Sequence, residues 1–481
     1  MLTLLVAAAF AQQPSECPFG VNGHQNDDAS LALAADAGIG WVRMDFNWYQ
    51  MEPSPGVYDW SAADRFIDTA TAEGLNVFPT IAYAPAWAVA PGCNDLSPEP
   101  GDWCHNQSPD PAAWASFVEA AVARYGDRVK VWGLWNEPNL EHFYRDTREV
   151  WVRDVLVPGA EALHTTCSDC QVAGPELANI RGANWDSDEG VCAFGECMFN
   201  GWEVSLTEIL DEAGDHIDIV THHRYDDSAQ IWLDELIGGQ WFGNLQYMHG
   251  LKEITDAHAP GKPVWITEFG WETTPGGPYS PSYAADQLTD SYLDLQEART
   301  TGWNGHAPWP ELDKLFWYDL HDDPVVHAWG QYTWGLLDAD GQPKEAYYAY
   351  ADVIDALGGC EAFVSGGTPP GAVDTGTVDT GSGAVDTGLD GSTGDTDTDT
   401  DTDSGEGTDG SGTDDPTDPT TDADEGDTSS GPAGAEGATD DLATPDGGAA
   451  TRVDAGCRTV SGAPIGGGLV ALGLLALRRR R

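Results

Sequence analysis

Positive charge is what this sequence has least of. Lys and Arg number 21 against 80 Asp and Glu, for a formal net charge of −59 over 481 residues. Such a chain repels nucleic acid and anionic membrane surfaces, which excludes both as partners of its bulk. A long apolar run is missing as well. The most apolar late segment, Gly466 to Leu477, falls short of the ~20 residues a spanning helix needs. No Gly-x-Gly-x-x-Gly follows the first apolar run, so a dinucleotide fold has no motif support. The nine cysteines have no histidines at ligand spacing beside them, which makes zinc the weaker assignment. The Asp-rich tail lacks EF-hand spacing with a closing Glu, and the first strand lacks a His-x-His pair. No metal and no cofactor are therefore expected.

What is present divides sharply near residue 364. Before it, aromatics are dense and apolar runs recur; after it, Thr, Asp, Gly and Ser dominate. Residues 1–11 form an apolar segment ending Ala9-Phe10-Ala11, as in a signal peptide. The usual positive n-region is lacking, as in a segment truncated at its start. Residues 365–455 bury too little apolar surface to offset chain entropy, which predicts a disordered, charge-extended linker. Three close cysteine pairs, Cys93/Cys104, Cys167/Cys170 and Cys192/Cys197, lie in loop-like segments and fit disulfides of an exported protein. Pairing does not follow from sequence; Cys17 and Cys360, which flank the aromatic-rich region, are one candidate pair.

Residues 19–362 alternate short apolar runs with amphipathic stretches. Eight candidate strands are Phe19–Asn22, Trp41–Asp45, Asn76–Ile81, Val129–Trp135, Gln171–Gly174, Ile217–Thr221, Val264–Thr267 and Lys314–Tyr318. Helical stretches between them include Ala62–Glu73, Ala112–Tyr125, Val150–Leu163, Glu203–Ala213 and Tyr283–Arg299, with a last helix over Pro343–Leu357. Eightfold strand–helix alternation, with strands apolar throughout, predicts a (β/α)8 TIM barrel.

Two carboxylates then stand out. Trp135-Asn136-Glu137-Pro138 closes the fourth strand, and Thr267-Glu268-Phe269-Gly270 the seventh. Strand ends of a barrel face one another across its C-terminal mouth. Cleaving a glycosidic bond needs an acid for the leaving oxygen and a nucleophile or base beyond the sugar ring. These two motifs resemble those of clan A glycoside hydrolases, over roughly residues 19 to 357, families 39 and 5 in particular, and the Trp135–Asn139 and Trp317–Leu320 segments lean toward family 39. The resemblance implies a retaining, metal-independent O-glycosyl hydrolase with a monomeric catalytic domain acting on an oligo- or polysaccharide. It implies Glu137 as acid/base and Glu268 as nucleophile. It further implies Arg43 beside the nucleophile, His223 and Tyr225 as supporting residues, Asn136 on the sugar 2-hydroxyl, and Trp317 as an aromatic platform. Glu137 must then hold its proton at rest and Glu268 must be ionised. Trp48, Tyr83, Trp87, Trp135, Trp271 and Tyr318 divide between core and sugar subsites. A non-catalytic surface glycan-binding barrel is the alternative.

Residues 456–481 combine Cys457, the short apolar run and four terminal arginines. They resemble a MYXO-CTERM sorting signal. That implies a sorting protease as partner, membrane contact through this segment alone, and display at the cell surface or outer membrane; a plain membrane anchor is the other option.

Overall fold

The computed structural model describes residues 16–24, 27–94, 103–140, 143–179, 191–193, 196–198, 201–242, 246–323 and 332–364. The expected signal segment 1–11, linker 365–455 and sorting segment 456–481 lie outside the described residues. Among the described residues, no helix is long and apolar enough to cross a membrane.

Eight parallel strands close into a barrel. They are β1 (Phe19–Asn22), β2 (Trp41–Asn47), β3 (Asn76–Ala82), β4 (Val131–Leu134), β5 (Gln171–Leu177), β6 (Ile219–His223), β7 (Val264–Phe269) and β8 (Leu312–Trp317). Each pairs with its sequence neighbours, and β8 closes on β1 through Phe19 opposite Leu315. Every residue of β3 and β7 is buried. That is what a parallel sheet covered by helices demands, and it explains the unbroken apolar runs.

Local signals set the helices. Asp110 accepts hydrogen bonds from the amides of Ala112 and Ala113, and Pro111 opens the helix Pro111–Tyr125. Ser280 caps Pro281–Thr300 in the same way. The stretch expected as one helix over Val150–Leu163 is instead Arg148–Trp151, a π turn over Val152–Leu156 and Val157–Thr166. Pro158 lies in the first turn of the last piece; it lacks the amide that would continue the regular ladder. The helix expected from Pro343 begins at Glu345, because Pro343 instead bridges to Leu337, and a further short helix, Gly359–Val364, follows it.

Aromatic rings plug the barrel interior. Phe78 and Phe316 have centroids 5.7 Å apart, and each lies 5.7 Å from Trp265. Gly20 is required beside them, since a Cβ there would meet the Phe316 ring at 2.5 Å. Lys314 lies over Trp41 and Trp265 and pairs with Asp313 at 2.9 Å. With the interior filled, the C-terminal mouth is where a barrel of this kind keeps its chemistry. Disulfides join Cys17–Cys360, Cys93–Cys104 and Cys167–Cys170. The first links residues 343 positions apart and ties the barrel's two ends together. Cys192 and Cys197 are register partners in a two-stranded antiparallel ribbon.

Candidate active site

Backbone conformation at the mouth is unusual. Tyr83, Trp135, Glu137 and Glu176, beyond or at the ends of β3, β4 and β5, have φ of 64°, 87°, 40° and 54°. Each such residue costs about 1–3 kcal/mol, and they gather where side chains must be aimed rather than merely packed. Glu268 is aimed by a different device. Trp265 points into the barrel, so strict alternation would turn Glu268 outward. A register shift against β6 between Ile266 and Glu268 reverses this and brings the carboxylate inside.

Arg43 on β2 organises the centre and is itself buried. Its Nη1 donates to Glu268 Oε1 at 2.9 Å and to Asn22 Oδ1 at 2.8 Å. Its Nη2 donates to Asn136 Oδ1 at 2.7 Å and to Glu176 Oε2 at 2.5 Å. Nε reaches Glu176 Oε2 at 2.9 Å and Thr80 Oγ1 at 3.0 Å. Glu268 Oε2 accepts from the Tyr225 hydroxyl at 2.8 Å. His223 sits among all three carboxylates. Its Nδ1 is 2.9 Å from Glu137 Oε1 and 3.4 Å from Glu268 Oε2, and its Nε2 is 3.7 Å from Glu176 Oε2.

These contacts fix the protons. Burial pushes the Glu137 carboxyl up, against the hydrogen bond from His223, and the charge of Glu268 adds to the rise. Burial alone would push the His223 imidazole down. The charge of Glu268, the hydrogen bond to Glu137 and the nearby Glu176 carboxylate outweigh it and raise the imidazole to about 9. Burial and the adjoining Glu268 charge raise the Tyr225 hydroxyl, so it remains a donor.

Of the residues singled out in the sequence, Arg43, Asn136, Glu137, His223, Tyr225 and Glu268 converge. Trp317 does not. It is 1% exposed, donates from its ring nitrogen to the Trp334 carbonyl, and packs on Phe269 and Trp271. The strand's period of two is the cause: Phe316 points inward, so Trp317 points toward the helices. The aromatic at the mouth is its neighbour Tyr318, whose ring lies 5.3 Å from His24 and 6.3 Å from Tyr225. Trp48, Trp135 and Trp271 are core, whereas Tyr83, Trp87 and Tyr318 are half-buried. His222 faces away from His223. It packs 4.2 Å from the Trp202 ring, and burial holds it neutral.

Glu176 is the residue that sequence reasoning missed. In sequence the apolar run ends at Gly174, but β5 continues through Glu176 to Leu177. The signal that points to it is a carboxylate inside the sequence of a buried strand, since such a group needs a partner.

One atom each of Glu137, His223 and Glu268 lies within 4.8 Å of the others, close enough to hold a metal ion. The Arg43 guanidinium and the protonated imidazole disfavour a cation there. Cys167 and Cys170, which make a similar group with Asp169, are tied up with each other.

A parallel eight-stranded barrel with two facing glutamates at its mouth has the architecture of a glycoside hydrolase. Comparison with known proteins agrees. The sequence profile of the Glyco_hydro_42 family, described as beta-galactosidase, matches residues 22–99. A beta-xylosidase of Caldicellulosiruptor saccharolyticus is 22% identical over 351 residues, which is 70% of this chain and 61% of that protein. The chain thus spans less than two thirds of that relative. Among solved structures, a glucosidase from Croceicoccus marinus has a TM-score of 0.51 at 14% identity, covering 70% of this chain and 67% of the other. A family 39 glycoside hydrolase from Bacteroides cellulosilyticus WH2 has a TM-score of 0.48 at 22% identity, covering 70% and 64%. Clan A of the glycoside hydrolases is the group to which this chain is similar.

Proposed function

We propose that this chain is an exported glycoside hydrolase that cleaves O-glycosidic bonds of an oligo- or polysaccharide with retention, by double displacement. One observation carries it. One oxygen of Glu137 and one of Glu268 lie within 4.8 Å of each other, which favours the ~5–5.5 Å carboxyl spacing of retaining enzymes over the ~6.5–9.5 Å that inverters need for a water. Glu268 attacks the anomeric carbon as the bond to the leaving oxygen breaks, and Glu137 gives that oxygen its proton. The glycosyl ester has no charge on Glu268, so Glu137 becomes more acidic and stays deprotonated. It then takes a proton from water as the water attacks the anomeric carbon and releases Glu268. Three disulfides in the described residues favour an oxidising compartment and hence export. The beta-xylosidase relative makes β-xylosides the first substrates to try.

The test is hydrolysis of nitrophenyl β-xyloside, β-glucoside, β-galactoside and β-mannoside by wild type, Glu137→Gln and Glu268→Gln, with the first product anomer read by NMR. Retention in the wild type, lost turnover in Glu268→Gln and indifference to chelator are expected. An inverted first product, or full activity in Glu268→Gln, overturns the assignment.

A further inference from the structure

Glu176 has no task in the two displacement steps, yet it occupies the centre of the charge network. Its side chain is wholly buried. It receives two hydrogen bonds from Arg43 and one from the Thr80 hydroxyl, and lies 3.7 Å from His223 Nε2. The space it fills is reserved by Gly133 on β4, where a Cβ would come within 2.1 Å of its Oε1. A buried carboxylate held this way is costly unless its charge is needed.

The charge count supplies the need. Before attack, Glu268 and Glu176 balance Arg43 and the His223 imidazolium, with Glu137 protonated. After attack, Glu268 is a neutral ester and Glu137 has lost its proton, so Glu137 and Glu176 balance the same two cations. Of the carboxylates in contact with Arg43 or His223, Glu176 is the one that is an anion in both states. We propose that Glu176 is the permanent counterion of Arg43 and His223, a positioning residue that keeps the site charge-balanced when the nucleophile is esterified. This rests on the double displacement proposed above. Without it, a surplus cation would oppose the positive charge that builds on the sugar ring in both transition states.

The groups facing His223 are Glu137 beyond β4, Glu176 from β5 and Glu268 from β7; Arg43 from β2 and the Tyr225 hydroxyl meet it through Glu268, and His222 and Arg224 lie beside it in the chain. The experiment follows the His223 imidazole by NMR in 15N-histidine-labelled protein, assigned with His223→Asn. It is run in wild type and in Glu268→Gln, which removes the nucleophile's charge as esterification does. Adding Glu176→Gln to either background lowers the His223 midpoint by about 1–3 pH units. Glu176→Asp, which keeps the charge but withdraws it, folds and gives a smaller downward shift; it serves if the glutamine variant does not fold. A midpoint unmoved by these substitutions overturns the proposal and leaves Glu176 a packing residue. The titration needs no substrate. Failure to hydrolyse any glycoside therefore sinks the function while this result still stands on its own.

Discussion

The Nδ1 of His223 lies 2.9 Å from Oε1 of Glu137, so the proposed proton donor is gripped by an imidazole rather than left in an apolar pocket. The imidazole's folded pKa, about 9, exceeds the ~6.5 of an unfolded histidine. A raised histidine adds stability that is complete below the unfolded value and disappears as pH rises through the folded one. From pH ~6.5 to ~9, the wild type should therefore lose on the order of 3 kcal/mol relative to His223→Asn. Urea melts across that range measure it. Parallel curves for the two proteins would mean that the native imidazole is neutral.

The acid role of Glu137 predicts a dependence on the leaving group. Glu137→Gln should slow cleavage of an unactivated disaccharide about 10²–10⁴-fold, the usual worth of a placed general acid. A dinitrophenyl glycoside needs no proton to depart, so its first step should be nearly spared. The kcat/KM values for both substrates, which report the first step alone, decide this. Equal losses on the two would assign Glu137 to binding.

Tyr225 donates at 2.8 Å to the Glu268 oxygen that Arg43 does not hold. A hydrogen bond to a charged group is worth about 1.5–3 kcal/mol. Tyr225→Phe should accordingly lower kcat/KM roughly 10- to 100-fold. Unaltered kinetics would place the hydroxyl outside the reaction.

The barrel itself was legible because parallel strands must be apolar on both faces, as in Asn76–Ala82 and Val264–Phe269. The two catalytic candidates were legible because a carboxylate ending such a run is out of place in a core. Side-chain direction was harder to read. Two adjacent histidines, His222 and His223, point to opposite faces, and only the register with β7 says which one enters the site. The same ambiguity made Trp317 look like the mouth aromatic when Tyr318 is. Glu176 escaped notice because Gly174-Pro175 resembles the end of a strand, whereas the chain continues and turns the carboxylate inward with φ of 54°.

The disulfide between Cys17 and Cys360 closes a loop spanning a sequence separation of 343 residues. Its main effect is expected in the unfolded chain, whose freedom it restricts. Replacing both cysteines by serine should cost about 2–5 kcal/mol in denaturant melts under oxidising conditions. Under strong reductant the two proteins should converge. A difference that persists after reduction would locate the effect in native packing around Gly40, where a Cβ would meet Cys17 Sγ at 2.4 Å.

Gly133 offers a test of packing and chemistry together. An alanine methyl there would sit 2.1 Å from Glu176 Oε1 and 2.9 Å from Thr80 Oγ1. Neither can retreat easily: Glu176 is held by Arg43, and Thr80 lies on β3. Gly133→Ala should therefore cost about 1–3 kcal/mol and drag Glu176 off Arg43, lowering activity with no catalytic group removed. The cause is separable by a double-mutant cycle. In a Glu176→Ala background only the 2.9 Å approach to Thr80 Oγ1 remains, so the same substitution should cost less. Additive losses in urea melts would show that the methyl clashes with the strand itself and that Gly133 serves β4 alone.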